Sequence, residues 1–293
     1  MTVAAAGEQP AAPSLPIGIV GAGVMGTGLA QALAVAGCRA IMMDLDPDAL
    51  TASRAAIRTN LRAAALAGSG GGERIDDVLG RIRLTADLAD LAAADFVIEN
   101  AVERWPVKQA IYPELDRICP PNVIFAANTS TFPIAGFAAL TARPDKVIGL
   151  HFMNPAQTRK LVEVIRGPST SAETLARAYA LLAAMDREGV TVNDSPGFVS
   201  NRVLMLTVNE AIRVVEDGTA EASDVDRIFC GCFGHAMGPL ATADLIGLDT
   251  ILLSLESLRE QYRDEKFAPA SLLRELVASG RLGRKSGSGF FSY

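Results

Sequence analysis

The sequence predicts an α/β protein: a doubly wound sheet with an inserted helical hairpin, followed by an all-helical C-terminal domain. Three observations carry that reading. A short apolar run at 15–20 breaks into the glycines of GAGVMG and resumes as a helix. Short β-type runs then alternate with amphipathic stretches as far as 192, which implies a parallel sheet covered on both faces. Beyond 195 the pattern turns almost wholly helical. The expected organisation is a disordered tail over 1–14, an α/β domain over 15–195 and a helical domain over 196–293.

The glycine turn comes first. Ile17, Ile19 and Val20 have strand chemistry, and Gly21, Gly23 and Gly26 fall at G-x-G-x-x-G spacing around Val24 and Met25. The first glycine permits the tight turn, the second leaves room for a pyrophosphate against bare backbone, and the third allows close helix–strand packing. The helix that follows aims its free N–H groups and positive dipole end at a phosphate. The motif alone is common; its context is not. Leu29, Ala30, Leu33 and Ala34 continue it as a helix, and a second apolar run at 40–43 ends in Asp44. An acid about 20 residues on is where the ribose hydroxyls of NAD are bound. A 2′-phosphate would be repelled there, so a Rossmann-like domain using NAD, not NADP, is expected.

Bulk properties narrow the class. A chain of 293 residues allows one large domain or two ordinary ones, at roughly 100–200 residues each. With 49% apolar residues it can bury a real core. A net charge of −6 argues against a dedicated nucleic-acid binder. Cys38, Cys119, Cys230 and Cys232 show no disulfide or zinc spacing, so no metal site and a reduced, cytoplasmic setting are expected. No apolar run reaches transmembrane length, so no membrane partner is expected. The Ala/Pro-rich start lacks the basic end and apolar core of a secretory signal.

Along the chain, a helix opened by Pro47 runs to about 67 with Ile57, Leu61 and Ala64 on its inner stripe. Arg54, Arg58 and Arg62 recur every four residues and share a face: a solvated surface, or a basic clamp for phosphate or an acidic partner. GSGGG at 68–72 is a break. A second helix over 76–83, carrying Val78, Leu79 and Ile82, completes the hairpin. Strands follow at 95–99, 123–127, 147–151, 161–165 and 190–192, with helices over 107–119, 134–141 and 172–187 between them. Ligands of such sheets sit at the carboxyl ends of strands. Asp44, Glu103, Ser130 and His151 all lie at or just beyond such ends, which argues for one shared site. From Val203 to Val215 apolar residues cover more than one face of a helix. A helix apolar most of the way round is buried on several sides, so a subunit interface and a homodimer are expected.

At GLHFMNP (149–155), followed by KLVEVI (160–165), the sequence resembles the 3-hydroxyacyl-CoA dehydrogenase family, which includes 3-hydroxybutyryl-CoA dehydrogenases. GAGVMGTGLA, VIENAVE (97–103), NTS (128–130), SPGFVSNR (195–202), MGP (237–239), LIGLDT (245–250) and LGRKSGSGFFSY (282–293) match family landmarks in the same order. The resemblance implies NAD-dependent oxidation of a 3-hydroxyacyl thioester to the 3-oxo form, or the reverse. His151 is then the candidate base, since imidazole titrates near neutral pH. Glu163, twelve residues on, would hold the other ring nitrogen. A glutamate in an apolar strand is costly to bury unpaired, which favours such a partner. Ser130 and Asn201 match the two polar residues that orient the substrate oxygens. The plainer readings are a turn hydroxyl for Ser130 and a helix N-cap for Asn201. Use of Asn201 would put the active site in a cleft between the domains. Glu103 and Lys108 match positions that help place the nicotinamide end, and Asn128 joins them. His235 is expected to pack near the cleft and is given no chemistry.

The departures bear on substrate. Met153 stands where the family commonly has a second aromatic, and Ala156-Gln157-Thr158-Arg159 replaces a more apolar run. With Asn154, these residues are expected along the acyl or thioester path. An apolar pocket gains about 0.8 kcal/mol per buried methylene. A wetter lining therefore suits a short, hydroxylated acyl group. In the family, basic residues of the hairpin help hold the CoA nucleotide. Here Arg54, Arg58 and Arg62 are offered to CoA phosphates or to the acidic face of an acyl carrier protein. The second case fits relatives that oxidise a glyceryl group on a carrier toward a polyketide extender unit. A dehydrogenase of a free hydroxy acid, such as L-gulonate 3-dehydrogenase, is a further alternative. A non-catalytic NAD-binding relative is disfavoured by the intact Ser130, His151, Glu163 and Asn201 set. A lysine-based β-hydroxyacid dehydrogenase is disfavoured because His151 occupies the base position.

Overall fold

The computed structural model describes residues 16–68 and 72–293; the expected tail and the centre of the GSGGG break lie outside the described residues. The first unit runs to Asp194 and the second comprises Ser195–Tyr293.

In the first unit β1 (Ile17–Val20) feeds α1 (Val24–Val35), and β2 (Ala40–Met43) feeds α2 (Pro47–Leu66) and the short α3 (Ile75–Gly80). Asp46 caps α2 by accepting the Asp48 N–H, with Pro47 at the first helical position. Then come β3 (Ile82–Thr85), β4 (Phe96–Glu99), α4 (Trp105–Ile118), β5 (Ile124–Ala127), α5 (Ile134–Ala138), β6 (Val147–Phe152), β7 (Leu161–Arg166), α6 (Ala172–Ala184) and β8 (Glu188–Asn193). The eight strands form one sheet in the order β3-β2-β1-β4-β5-β6-β7-β8.

The sheet is buried on two sides. Ile17, Ile19, Ile98, Ile124, Ala126 and Ile148 pack in one cluster with Leu29 and Leu33 of α1, Ile57 of α2, Leu79 of α3 and Leu181 of α6. Phe125, between Ile124 and Ala126, points to the other face, as strand alternation requires. There it meets Tyr112 of α4, which in turn packs on Phe137 of α5 with ring centroids 4.8 Å apart.

Three expectations need correction. Ile82 does not belong to the second hairpin helix. That helix ends at Gly80, and Ile82 opens β3, which pairs in parallel with β2. The sheet is not wholly parallel either: β7 runs antiparallel to β6, with His151 opposite Glu163. Only eight residues separate β6 from β7, too few for a helical crossover, so the chain turns straight back. Finally β8 is an edge strand with Glu188, Thr191 and Asn193 exposed, not a strand covered on both faces.

The second unit holds α7 (Ser200–Glu216), α8 (Ala222–Phe233), α9 (Pro239–Ile246), α10 (Leu248–Tyr262) and α11 (Ser271–Ala278). Met205, Val208 and Ile212 of α7 pack with Leu240, Ile251, Leu255, Leu258, Phe267 and Leu273. The fully buried Asp244 carboxylate accepts the N–H groups of Phe290 and Phe291 and ties the C-terminal segment to α9. Much of the apolar surface of α7 is thus consumed within the unit, while Val203 stays 59% exposed. His235 is exposed and lies edge-on to Phe229.

Candidate active site

The three glycines of the β1–α1 turn differ in what surrounds them. Gly21 adopts φ +96°, a conformation that side chains rarely tolerate. A Cβ on Gly26 would stand 1.9 Å from the Gly21 carbonyl oxygen. A Cβ on Gly23 would meet nothing within 4 Å. Gly23 is the N-cap of α1 and has no side chain to satisfy the first amides. Val24 is exposed, whereas Met25 is half-buried against the core. At the end of β2, Asp44 accepts the Ala22 N–H through Oδ2 at 2.7 Å and the Asp46 N–H through Oδ1 at 3.0 Å. Its carboxylate is therefore held beside the glycine turn.

The ends of β5, β6 and β7 carry a second group. Glu163 Oε2 lies 2.8 Å from His151 Nδ1, and His151 Nε2 lies 3.1 Å from Ser130 Oγ. His151 and Glu163 are both buried. With Glu163 ionised the carboxylate can only accept, and Nδ1 is then the donor in this contact. In the neutral ring Nε2 then presents its lone pair toward Ser130. The paired register puts both side chains on one face of the sheet, because directly opposed residues of an antiparallel pair share a face.

Beneath Ser130 sits a charge cluster. Oε1 of Glu103 accepts the Thr129 hydroxyl at 2.6 Å and the N–H groups of Ser130 and Thr131 at 2.8 and 3.2 Å. Its Oε2 lies 3.4 Å from Lys108 Nζ. Lys108 is wholly buried; it donates to both oxygens of Glu99 at 2.9 and 3.0 Å and to the Asn128 carbonyl at 3.3 Å. Burial pushes the Glu99 carboxyl upward, and the Lys108 charge opposes that shift. Asn128 donates through Nδ2 to Asn100 Oδ1 at 2.6 Å and accepts the Phe152 N–H at 3.1 Å.

Ser130, His151, Glu163, Glu103, Lys108 and Asn128 thus converge, with Asp44 and the glycine turn at a neighbouring set of strand ends. Asn201 lies in the first turn of α7 in the second unit, and is buried there. The basic stripe is partly diverted: Arg54 donates to the Ile82 carbonyl, Arg58 pairs with Asp76, and Arg62 is exposed. In the β6–β7 loop Met153 is half-buried, and Asn154 and Arg159 are exposed. Ala156 and Gln157 correct the expected acyl lining. Ala156 is in the core, and both pack against Gly28 of α1. Arg187 donates to the carbonyls of both residues, which fixes the loop from behind.

Sequence reasoning missed Glu99 and Arg187 as contributors. Glu99 did carry a signal: a carboxylate closing an apolar strand needs a buried partner. Arg187 carried none, because its role depends on where a distant loop passes.

Comparison with known proteins decides the family. Residues 16–195 match the NAD binding domain of 3-hydroxyacyl-CoA dehydrogenases, and residues 197–293 match the C-terminal domain of the same family. This chain belongs to the 3-hydroxyacyl-CoA dehydrogenase family. As a member of that family it is an NAD-using oxidoreductase. It is 46% identical to a probable 3-hydroxybutyryl-CoA dehydrogenase of Bacillus subtilis, over 94% of this chain and 96% of that protein. It is 39% identical to the 3-hydroxybutyryl-CoA dehydrogenase of Mycobacterium tuberculosis, over 94% of this chain and 98% of the other. Among solved structures, the (S)-3-hydroxybutyryl-CoA dehydrogenase PaaH1 of Ralstonia eutropha superposes with a TM-score of 0.90 at 42% identity, covering 96% of this chain and 99% of that one. The residues fit the dinucleotide: open space over Gly23, an uncapped helix start, and an anchored Asp44 carboxylate with lone pairs left for two ribose hydroxyls. Among the described residues no helix is long and apolar enough to cross a membrane.

Proposed function

We propose that this 3-hydroxyacyl-CoA dehydrogenase family member interconverts a short-chain 3-hydroxyacyl-CoA and its 3-oxoacyl-CoA, with His151 as general base and Glu163 as its partner. The observation that carries the reading is the line from Glu163 Oε2 through His151 to Ser130 Oγ, at 2.8 and 3.1 Å. Bound NAD supplies the hydride acceptor at the reacting carbon.

The protein's own part is proton handling and orientation. A substrate hydroxyl that touches both Ser130 Oγ and His151 Nε2 is fixed at two points. Nε2 takes its proton as the carbon is oxidised, and returns it in the reverse direction. Glu163 stabilises the imidazolium that forms and keeps the ring in the tautomer whose Nε2 is the acceptor. Gly23 and the amides opening α1 take the pyrophosphate, and Asp44 takes the ribose hydroxyls. Asn201 is assigned to the substrate oxygens by its place in the SPGFVSNR motif. Two copies of the chain form the working unit, with Val203, Ile228 and Phe233 among the exposed apolar residues offered to the partner.

CoA is favoured over a carrier protein for one reason. The relatives above are named for CoA substrates. Arg54 and Arg58 have partners inside their own unit, so the basic stripe supports neither carrier over the other, and the names of the relatives decide. The test is NADH-dependent reduction of acetoacetyl-CoA, acetoacetyl-carrier protein and free acetoacetate. We expect kcat/KM to be at least about tenfold higher with the CoA thioester, the step that roughly 1.4 kcal/mol of nucleotide contact produces. Preference for the carrier-bound substrate would move the protein to the extender-unit class. Activity on free hydroxy acids alone would sink the thioester reading.

A further inference from the structure

We propose that Arg187 is a positioning residue for acyl selectivity: from the α6–β8 turn it pins the 153–160 segment against α1, and so holds the wall that Met153 and Asn154 offer the acyl group at one distance from His151. The inference deepens the functional reading and rests on its assignment of His151 to the reaction.

The segment is fixed at its two ends by the sheet. Before it, Phe152 donates its N–H to Asn128 and His151 stands on its rung opposite Glu163. After it, β7 pairs along its whole length with β8. The eight residues between belong to no helix or strand. Their own backbone bonds run from the Thr158 and Arg159 N–H groups to the Pro155 carbonyl, each at 3.1 Å. Such bonds give a turn its shape and leave open where it lies. Two outside contacts decide that. One is a seat on α1. Ala156 is 2% exposed, and a Cβ on Gly28 would stand 3.2 Å from its Cβ and 2.7 Å from Gln157 Oε1. The bare backbone of Gly28 thus lets the segment approach the helix.

The other contact is Arg187. Its guanidinium donates to the Gln157 carbonyl at 2.9 Å and to the Ala156 carbonyl at 3.5 Å. Its other arm donates to the Met185 and Asp186 carbonyls at 3.3 and 3.2 Å. One planar fork therefore joins the turn to the segment. Lys160 closes the same junction: its carbonyl accepts the Glu188 N–H at 2.9 Å, and its ammonium pairs with Asp186. That pair is exposed and contributes little. Arg187 is half-buried, and burial lowers its basicity while Asp186 opposes the shift. Its loss would leave partly buried carbonyls without a donor. The clamp grips three residues beyond Met153 and does not touch the β6–β7 rung. It therefore bears on the wall and not on the base. A wall held at close packing rejects added methylenes, and a wall that can yield admits them.

The test compares the full-length protein with Arg187→Met and Arg187→Lys. Methionine keeps an apolar stem and no donor; lysine keeps the charge and loses the fork. Hydrogen exchange at the Thr158 and Arg159 amides should rise about tenfold or more in Arg187→Met, with the Phe152 amide unchanged. At saturating NADH, kcat for acetoacetyl-CoA reduction should stay within about threefold while KM rises about three- to tenfold. The ratio of kcat/KM for acetoacetyl-CoA over 3-oxooctanoyl-CoA should fall by about tenfold or more. Arg187→Lys should lie between wild type and Arg187→Met in both exchange and chain-length ratio.

Unchanged exchange at Thr158 and Arg159 in Arg187→Met would overturn the clamp. Looser amides with an unaltered chain-length ratio would overturn its part in selectivity. An equal loss of kcat on every thioester with KM preserved would place the effect on the chemical step and overturn the proposal too. If the wild-type protein turned over no thioester, the functional reading would fall and the selectivity claim with it. The exchange comparison would still decide whether Arg187 holds the segment.

Discussion

His151 and Glu163 stand opposite each other on one rung of the β6–β7 pair, with Nδ1 and Oε2 2.8 Å apart. Removing either should act on the chemical step. We expect His151→Ala to lower kcat by about 10³-fold or more, and Glu163→Gln by about 10²-fold, with KM for the acyl substrate little changed in the second. Steady-state kinetics with acetoacetyl-CoA and NADH check both. A Glu163→Gln enzyme with full kcat would remove the acid from the mechanism.

Gly23 and Gly26 should separate cofactor binding from folding. A methyl group on Gly26 collides with the Gly21 carbonyl, so Gly26→Ala should cost about 1–3 kcal/mol of stability and weaken NADH binding as the turn opens. A methyl group on Gly23 meets no protein atom, so Gly23→Ala should keep the wild-type melting temperature. It should still lose NADH affinity, because the methyl takes space meant for the pyrophosphate. Thermal melts and fluorescence titrations read the two effects. Unaltered affinity in Gly23→Ala would contradict the placement of the phosphates.

We expect Asp44 to govern the choice of dinucleotide. Asp44→Asn keeps an acceptor for the Ala22 N–H while removing the charge that repels a 2′-phosphate. The ratio of NADH to NADPH affinity should fall by about tenfold, roughly 1.4 kcal/mol. Titration of both cofactors against wild type and variant tests this.

The buried thiols predict an alkaline weakness. Burial pushes the Cys119 thiol from 9.0 up to about 11, with Asp116 adding and Arg143 opposing, and burial likewise raises Cys38. Below pH 9 both folded and unfolded forms keep these protons, so stability does not respond. Between pH 9 and about 11 the unfolded chain releases protons that the folded chain retains, so stability falls as pH rises. Urea midpoints measured from pH 8 to 11 should drop more steeply in wild type than in Cys119→Ala. At pH 8 iodoacetamide should label the exposed Cys230 and Cys232 and spare the buried pair.

What the sequence made legible was what depends on local spacing. Gly21, Gly23 and Gly26 sit at fixed offsets in the β1–α1 turn, and Asp44 follows from the strand that ends in it. His151 and Glu163 were legible through the motifs around them. The four-residue β3, IRLT, was not, since Ile82 continues the apolar pattern of the helix before it. The reversal at β7 was hidden because LVEVI reads the same whichever way the strand runs. Glu99 and Lys108 lie nine residues apart, and their contact exists only because α4 folds back over the end of β4.

The turn-back between β6 and β7 makes the meeting of His151 and Glu163 a matter of register alone. Inside β7 the situation is digital. A slip of one residue sends the acid through to the far side of the sheet. A slip of two restores the side but carries the carboxylate about 6.8 Å along the strand, beyond reach of the imidazole. His151 keeps its carboxylate neighbour in a single setting of the register.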